Sequence, residues 1–87
     1  MSLIKIKPAV AVAPSVVSMR QARLALLQSN LLDIVEQAVS AGSEADKITW
    51  EYATEVNRSD ALVQNLAAGL GLSETDLDNL FLLAISL

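Results

Sequence analysis

From Ser18 onward, apolar residues recur every three or four positions, a spacing that matches the turn of an α-helix and not the two-residue repeat of a strand. Four interruptions cut this run into pieces, so the sequence predicts an all-α fold, a small bundle of about five short helices. Ser18 and Gln21 have capping-box spacing and open a helix over about Met19–Gln28, with Met19, Ala22, Leu26 and Leu27 as its apolar stripe. Asn30 tolerates left-handed backbone and suits a helix end; Leu31, Val35, Ala38 and Val39 then mark a second helix that stops at Gly42. Ser43 or Asp46 caps a third, whose Ile48, Tyr52 and Val56 face one way while Trp50 and Ala53 form another contact line. Ser59 and the following Asp60 begin a fourth, with Leu62, Val63, Leu66, Ala67 and Leu70 inward and an end at Gly69 or Gly71. Ser73 caps the fifth, where Glu74, Asp76 and Asp78 lie near the positive end of the helix dipole and Leu77, Leu80, Phe81 and Ala84 face the core.

The chain before Ser18 follows different rules. Leu3–Val17 reads LIKIKPAVAVAPSVV, with period-two alternation at Ile4, Lys5, Ile6 and Lys7 followed by Pro8 and Pro14 among small and β-branched residues. This is strand or polyproline-like chain. Residues 1–17 are therefore expected to form an extended arm and residues 18–87 the helical domain. Two destinations suit such an arm: pairing as an edge strand with another chain, or lying in an apolar groove. Two prolines and the lack of a continuous apolar core argue against a secretory signal.

Charge is distributed unevenly along the chain. The four charges before Asp33 are all positive (Lys5, Lys7, Arg20, Arg23), and the remainder carries ten acids against Lys47 and Arg58, so the halves sum to +4 and −8. An arm drawn to the acidic body of a neighbouring copy is one consequence, and simple solvation is the other. Charges interrupt every apolar run well short of the roughly 18–20 residues that a membrane span requires, which predicts a soluble chain without a membrane partner.

Histidine and cysteine are absent. With them go the usual base near neutral pH, the thiolate nucleophile and the soft metal ligands, so the expectation is a non-enzyme with no cofactor, no metal and no small-molecule substrate. Glu51 and Glu55 share a helical spacing of four but read as solvated surface. The segment DLDNLF begins like a calcium loop and lacks the required glycine and distal glutamate.

Apolar content is 53%, high for a chain of 87 residues, and the C-terminal FLLAISL adds Leu82, Leu83, Ile85 and Leu87 on sides the core stripe does not use. Surplus apolar surface on a small domain predicts a homo-oligomer. The candidate interface residues are Ile4, Ile6, Val10 and Val12 in the arm, Trp50, and Leu82, Leu83, Ile85 and Leu87. As the only tryptophan, Trp50 reads first as core packing and second as a partner anchor. A competing motif is NLAAGLGLSETDLDNLF, which has helix-turn-helix spacing through Ala67, Gly71, Leu77 and Leu80. Its second helix leads with Glu74, Asp76 and Asp78, and acids there repel the phosphates that dominate DNA affinity. A DNA-binding regulator is thus the alternative reading, with nucleic acid disfavoured.

Two longer stretches, SMRQARLALLQSNLLDIVEQAV and ITWEYATEVNRSDALVQNLAAGLGLSETDLDNLF, resemble a group of small bacteriophage and prophage proteins often encoded beside tail or tail-fibre genes. The same pattern occurs at the C-terminus of longer tail-associated proteins. The likeness spans about Val17–Phe81, with RQARLALL, WEYAT and LGLSETDLDNLF as its most distinctive pieces; Asn30 stands where members often have glycine. It implies a structural or assembly role near the virion tail, with a tail or tail-fibre protein as partner and a location in the bacterial cytoplasm during assembly or on the virion. It carries over no catalytic or binding residue.

Overall fold

Ser18 is where extended chain becomes helix. Its hydroxyl accepts a hydrogen bond from the Gln21 N–H at 3.0 Å, and its own N–H donates to Gln21 Oε1 at 2.9 Å, the reciprocal box that satisfies two otherwise unpaired donors. A computed structural model describes residues 13–87 of the chain. The interface expectations for Ile4, Ile6, Val10 and Val12 lie outside the described residues.

Five helices follow the expected order: α1 (Met19–Gln28), α2 (Leu32–Ser40), α3 (Glu44–Tyr52), α4 (Ala61–Leu70) and α5 (Glu74–Ile85). The fold is all-α apart from a pair of three-residue strands, β1 (Val16–Ser18) and β2 (Glu55–Asn57). Local chemistry accounts for most boundaries. Asn30 adopts φ 61° and ends α1, with the Leu31 N–H reaching back to the Leu26 carbonyl at 2.8 Å. Ser43 caps α3 by accepting from the Asp46 N–H. Of the two glycines offered as the end of α4, Gly71 is the one with left-handed backbone (φ 71°), and the N–H groups of Gly71 and Leu72 both turn back to the Ala67 carbonyl. Ser73 and Asp76 form a second capping box at the start of α5. Asp60, not Ser59, takes the N-cap position of α4, and its carboxylate accepts from the Asn57 N–H at 3.0 Å.

The strands revise two expectations. β1 pairs antiparallel with β2 in the register Val16 with Asn57, Val17 with Val56 and Ser18 with Glu55. The pairing continues outward, because the Arg58 N–H donates to the Ser15 carbonyl at 2.8 Å and the Met19 N–H to the Thr54 carbonyl at 2.9 Å. The end of the arm thus belongs to the body: Val17 is only 3% exposed, and the boundary drawn at Ser18 falls inside β1. Val56 lies on β2 and not on α3. The apparent stripe Ile48, Tyr52 and Val56 is broken at Ala53, whose backbone turns extended (φ −66°, ψ 139°). With the helix stopped there, Ile48 and Tyr52 are exposed, and Trp50 is the residue that α3 buries.

α1 lies at the centre, packed against α5 and α2 and touching both strands; α2 bridges to α3 and α4, α3 packs on α4, and β1 on α5. Ala25 and Ala84 are among the least exposed core residues, and their small side chains allow close approach of helices. Val35, Val39, Leu62, Val63, Leu77 and Phe81 fill the remaining interior. Ala25 replaces Leu27 on the buried stripe of α1, since Leu27, two residues on and about 200° around the helix, lies on the solvent side. Leu66, Leu70 and Leu80 are half-buried at the edge of the core instead of inside it.

Candidate interaction surface

Trp50 is 9% exposed and packs within the core of its own chain, so its side chain is not displayed as a partner anchor. It is held by Arg23 of α1. The guanidinium carbon lies 4.6 Å from the centre of the Trp50 ring, within cation–π range, and Nη2 donates to the Trp50 carbonyl at 2.5 Å. That carbonyl belongs to the last turn of α3, which has no intrahelical donor, so one arginine both covers the indole and satisfies a carbonyl at the helix end. Arg23 Nε is buried without a partner among the described residues. Arg23 thus meets an aromatic face and a backbone oxygen, two groups that charge counting does not reveal.

A second cation ties the loop after β2 to α5. Arg58 forms a hydrogen-bonded ion pair with Asp78, reaches Glu74 Oε1 at 3.2 Å and donates to the Glu74 carbonyl at 2.9 Å. The hydrogen bond that Arg58 donates to Asp78 raises the arginine pKa above its ordinary value, against the opposing effect of desolvation. Gln64 of α4 closes the network by donating to the Arg58 carbonyl at 2.8 Å. Two of the three acids that open α5 are therefore held by Arg58, and the third, Asp76, is used in the cap. The α4–turn–α5 unit is fixed to the rest of the body by this cluster.

Large apolar side chains are exposed on four of the five helices, Leu27 on α1, Ile34 on α2, Ile48 and Tyr52 on α3 and Ile85 on α5. Tyr52 is 73% exposed and Ile48 56%, and they stand one helical turn apart on α3 with Glu51 between them on the same side. Of the C-terminal candidates, Leu83 and Leu87 pack against the core, Leu82 is half-buried, and Ile85 is the exposed one at 50%. The structure does not gather Trp50 with the C-terminal leucines into one patch. Ile48 and Tyr52 escaped the sequence reading because their spacing placed them on a presumed core stripe; the signal that identifies them is the extended backbone after Tyr52.

The concavities among the described residues include one of about 80 Å³, a partly open recess in the core lined by Val17, Leu26, Val63, Leu77, Phe81 and other apolar side chains. Water in such a space lacks the two to four polar partners it requires, so the site can hold at most a small apolar group. Another, of about 230 Å³, is an open groove between α2, α3 and α4 floored by Gly69 and Leu66. Neither brings together convergent polar groups of the kind that orient a substrate. Among the described residues no group of three or more acidic side chains has the geometry to hold a metal ion, and no helix is long and apolar enough to cross a membrane. No family model, curated protein or solved structure matches the chain.

Proposed function

We propose that this protein is a non-catalytic structural or assembly module that works through protein–protein contacts, self-association among them, and that it serves a bacteriophage or prophage tail. The observation that carries the contact reading is the display of large apolar side chains on a closed helical body. Tyr52, Ile48 and Ile85 remain in water although the core beneath them is already formed. Exposing such side chains costs free energy that burial against a partner returns, at roughly 25 cal/mol per Å² of apolar area. The tail assignment has a separate support, the likeness of RQARLALL, WEYAT and LGLSETDLDNLF to the phage group.

Size-exclusion chromatography with light scattering tests self-association on the full chain and on a chain lacking residues 1–12, which retains the whole described body. The reading expects a dimer or larger species, weakened by the deletion. A monomer in both cases at high micromolar concentration removes self-association from the proposal.

The alternative, a DNA-binding regulator, draws on the glycine turn between α4 and α5. Its second helix presents Glu74 and Asp78 as partners of Arg58 and leaves no lysine or arginine after that residue to meet phosphate. A salt-sensitive mobility shift with duplex DNA would revive it.

A further inference from the structure

The outer face of α3 and the N-terminal arm are complementary in both charge and hydropathy. Ile48, Glu51 and Tyr52 share one exposed side of the helix, and Glu55, three residues on, is exposed on β2. Neither Glu51 nor Glu55 has an ion-pair partner among the described residues, whereas Glu44 at the other end of α3 is paired with Lys47. The face therefore offers two large side chains with Glu51 beside them on α3 and Glu55 exposed shortly after on β2, neither acid in an ion pair among the described residues. Leu3–Lys7 reads LIKIK, an alternation of branched apolar and cationic side chains. All ten acids of the chain lie in residues 13–87 with four cations, giving −6, while residues 1–12 contribute Lys5 and Lys7 alone, giving +2.

From this we infer that the arm of one copy docks on the α3 face of a second copy, Ile4 and Ile6 against Ile48 and Tyr52, Lys5 and Lys7 toward Glu51 and Glu55. The inference rests on the self-association reading above and names its surface. Lysine suits the rim of such a contact, because its aliphatic stem covers apolar surface while the ammonium reaches an acid at the edge.

The direction of β1 selects a second copy over the chain's own body. β1 ends at Ser18 beside Glu55, immediately after α3, and begins at Val16 beside Asn57. Ser15 is still further along, held by the Arg58 N–H. The chain before Ala13 therefore starts from the Asn57 end of the strand pair, and docking on its own α3 needs a turn back that docking on a neighbour does not. A neighbouring molecule meets the same segment without a reversal. Twelve residues, at about 3.3 Å each when extended, reach roughly 40 Å, ample for a neighbour.

The test is charge exchange on the full chain, read by sedimentation velocity over a concentration series. One protein carries K5E and K7E, the other E51K and E55K; far-UV circular dichroism checks that each keeps the helical spectrum. Each variant alone associates about tenfold or more weakly than the wild type, because two attractive pairs become two repulsive ones. An equimolar mixture regains association, since each arm then meets a face of opposite sign. E51Q with E55Q, which removes the attraction without adding repulsion, gives an intermediate loss and serves if the lysine variant does not fold. Wild type that associates while the exchanged variants associate equally well overturns this surface and leaves self-association standing. A mixture that stays as weak as its components overturns docking between copies. A wild type that is monomeric throughout the series overturns both the surface and the reading it rests on.

Discussion

Phe81→Ala removes the one phenylalanine from the wall of a partly open apolar recess of about 80 Å³ in the core. Phe81 is 6% exposed, so nearly its whole side chain leaves an apolar environment. Losing the burial of a phenylalanine relative to alanine costs roughly 1.5–3 kcal/mol. The vacated space, roughly 100 Å³, adds about 2 kcal/mol at about 24 cal/mol per Å³ of residual cavity. The total is about 4 kcal/mol, and relaxation gives little relief, because the new space merges with a recess that the same helices have not filled. A domain of this length has roughly 4–13 kcal/mol to lose, so the variant is left near the edge of folding. Urea unfolding followed both by far-UV circular dichroism and by Trp50 fluorescence measures it. With an m-value of about 1 kcal/mol per molar, the midpoint falls by about 3–4 M at unchanged slope. Phe81→Leu fills most of the space and loses about 1 kcal/mol. A loss below about 1 kcal/mol for the alanine variant, with coincident probes and an unaltered slope, refutes the placement of Phe81 in a closed core.

Three further outcomes follow from individual contacts. The two glycines near the end of α4 respond with opposite sign: Gly71→Ala, at φ 71°, destabilises by about 1 kcal/mol, while Gly69→Ala, whose new methyl meets nothing within 4 Å, stabilises by about 0.5–1 kcal/mol in thermal melts. Ser73→Ala deletes the hydroxyl half of the α5 capping box and costs about 1 kcal/mol in the same assay, with the helical signal at low temperature preserved. Arg23→Met keeps a stem over the indole but loses the charge and the bond to the Trp50 carbonyl; stability drops by about 1–2 kcal/mol and Trp50 emission moves to the red as water reaches the ring.

Most of the helical framework was legible in the sequence because its determinants are local. Ser18 with Gln21, Asn30, Gly71, and Ser73 with Asp76 each act within one turn of the backbone they control, and each is found where the residues indicate. The hairpin was not legible for the opposite reason. Val17 and Val56 are far apart in sequence, and a three-residue strand has too few positions to show its alternation; Val56 also continues the spacing of Ile48 and Tyr52 and so imitates a helix. One misplaced residue changed the reading of a whole face, since a helix that continues to Val56 hides Ile48 and Tyr52 and a helix that stops at Tyr52 exposes them. Trp50 was legible as packing, but not that a cation would cover it. Arg23 and Trp50 come from helices whose mutual position depends on the hairpin.

The Gln21 side chain, one turn into α1, lies 3.4 Å from the carbonyl oxygen of Leu87. Residues that follow directly on β1 therefore neighbour the end of the described body, while Ala13 lies beyond the opposite end of β1, about 17 Å of extended chain away. A glycine-serine bridge long enough to run back along that strand from Leu87 to Ala13, with new ends opened at Ala41–Gly42 between α2 and α3, should give a circularly permuted chain with the same packing.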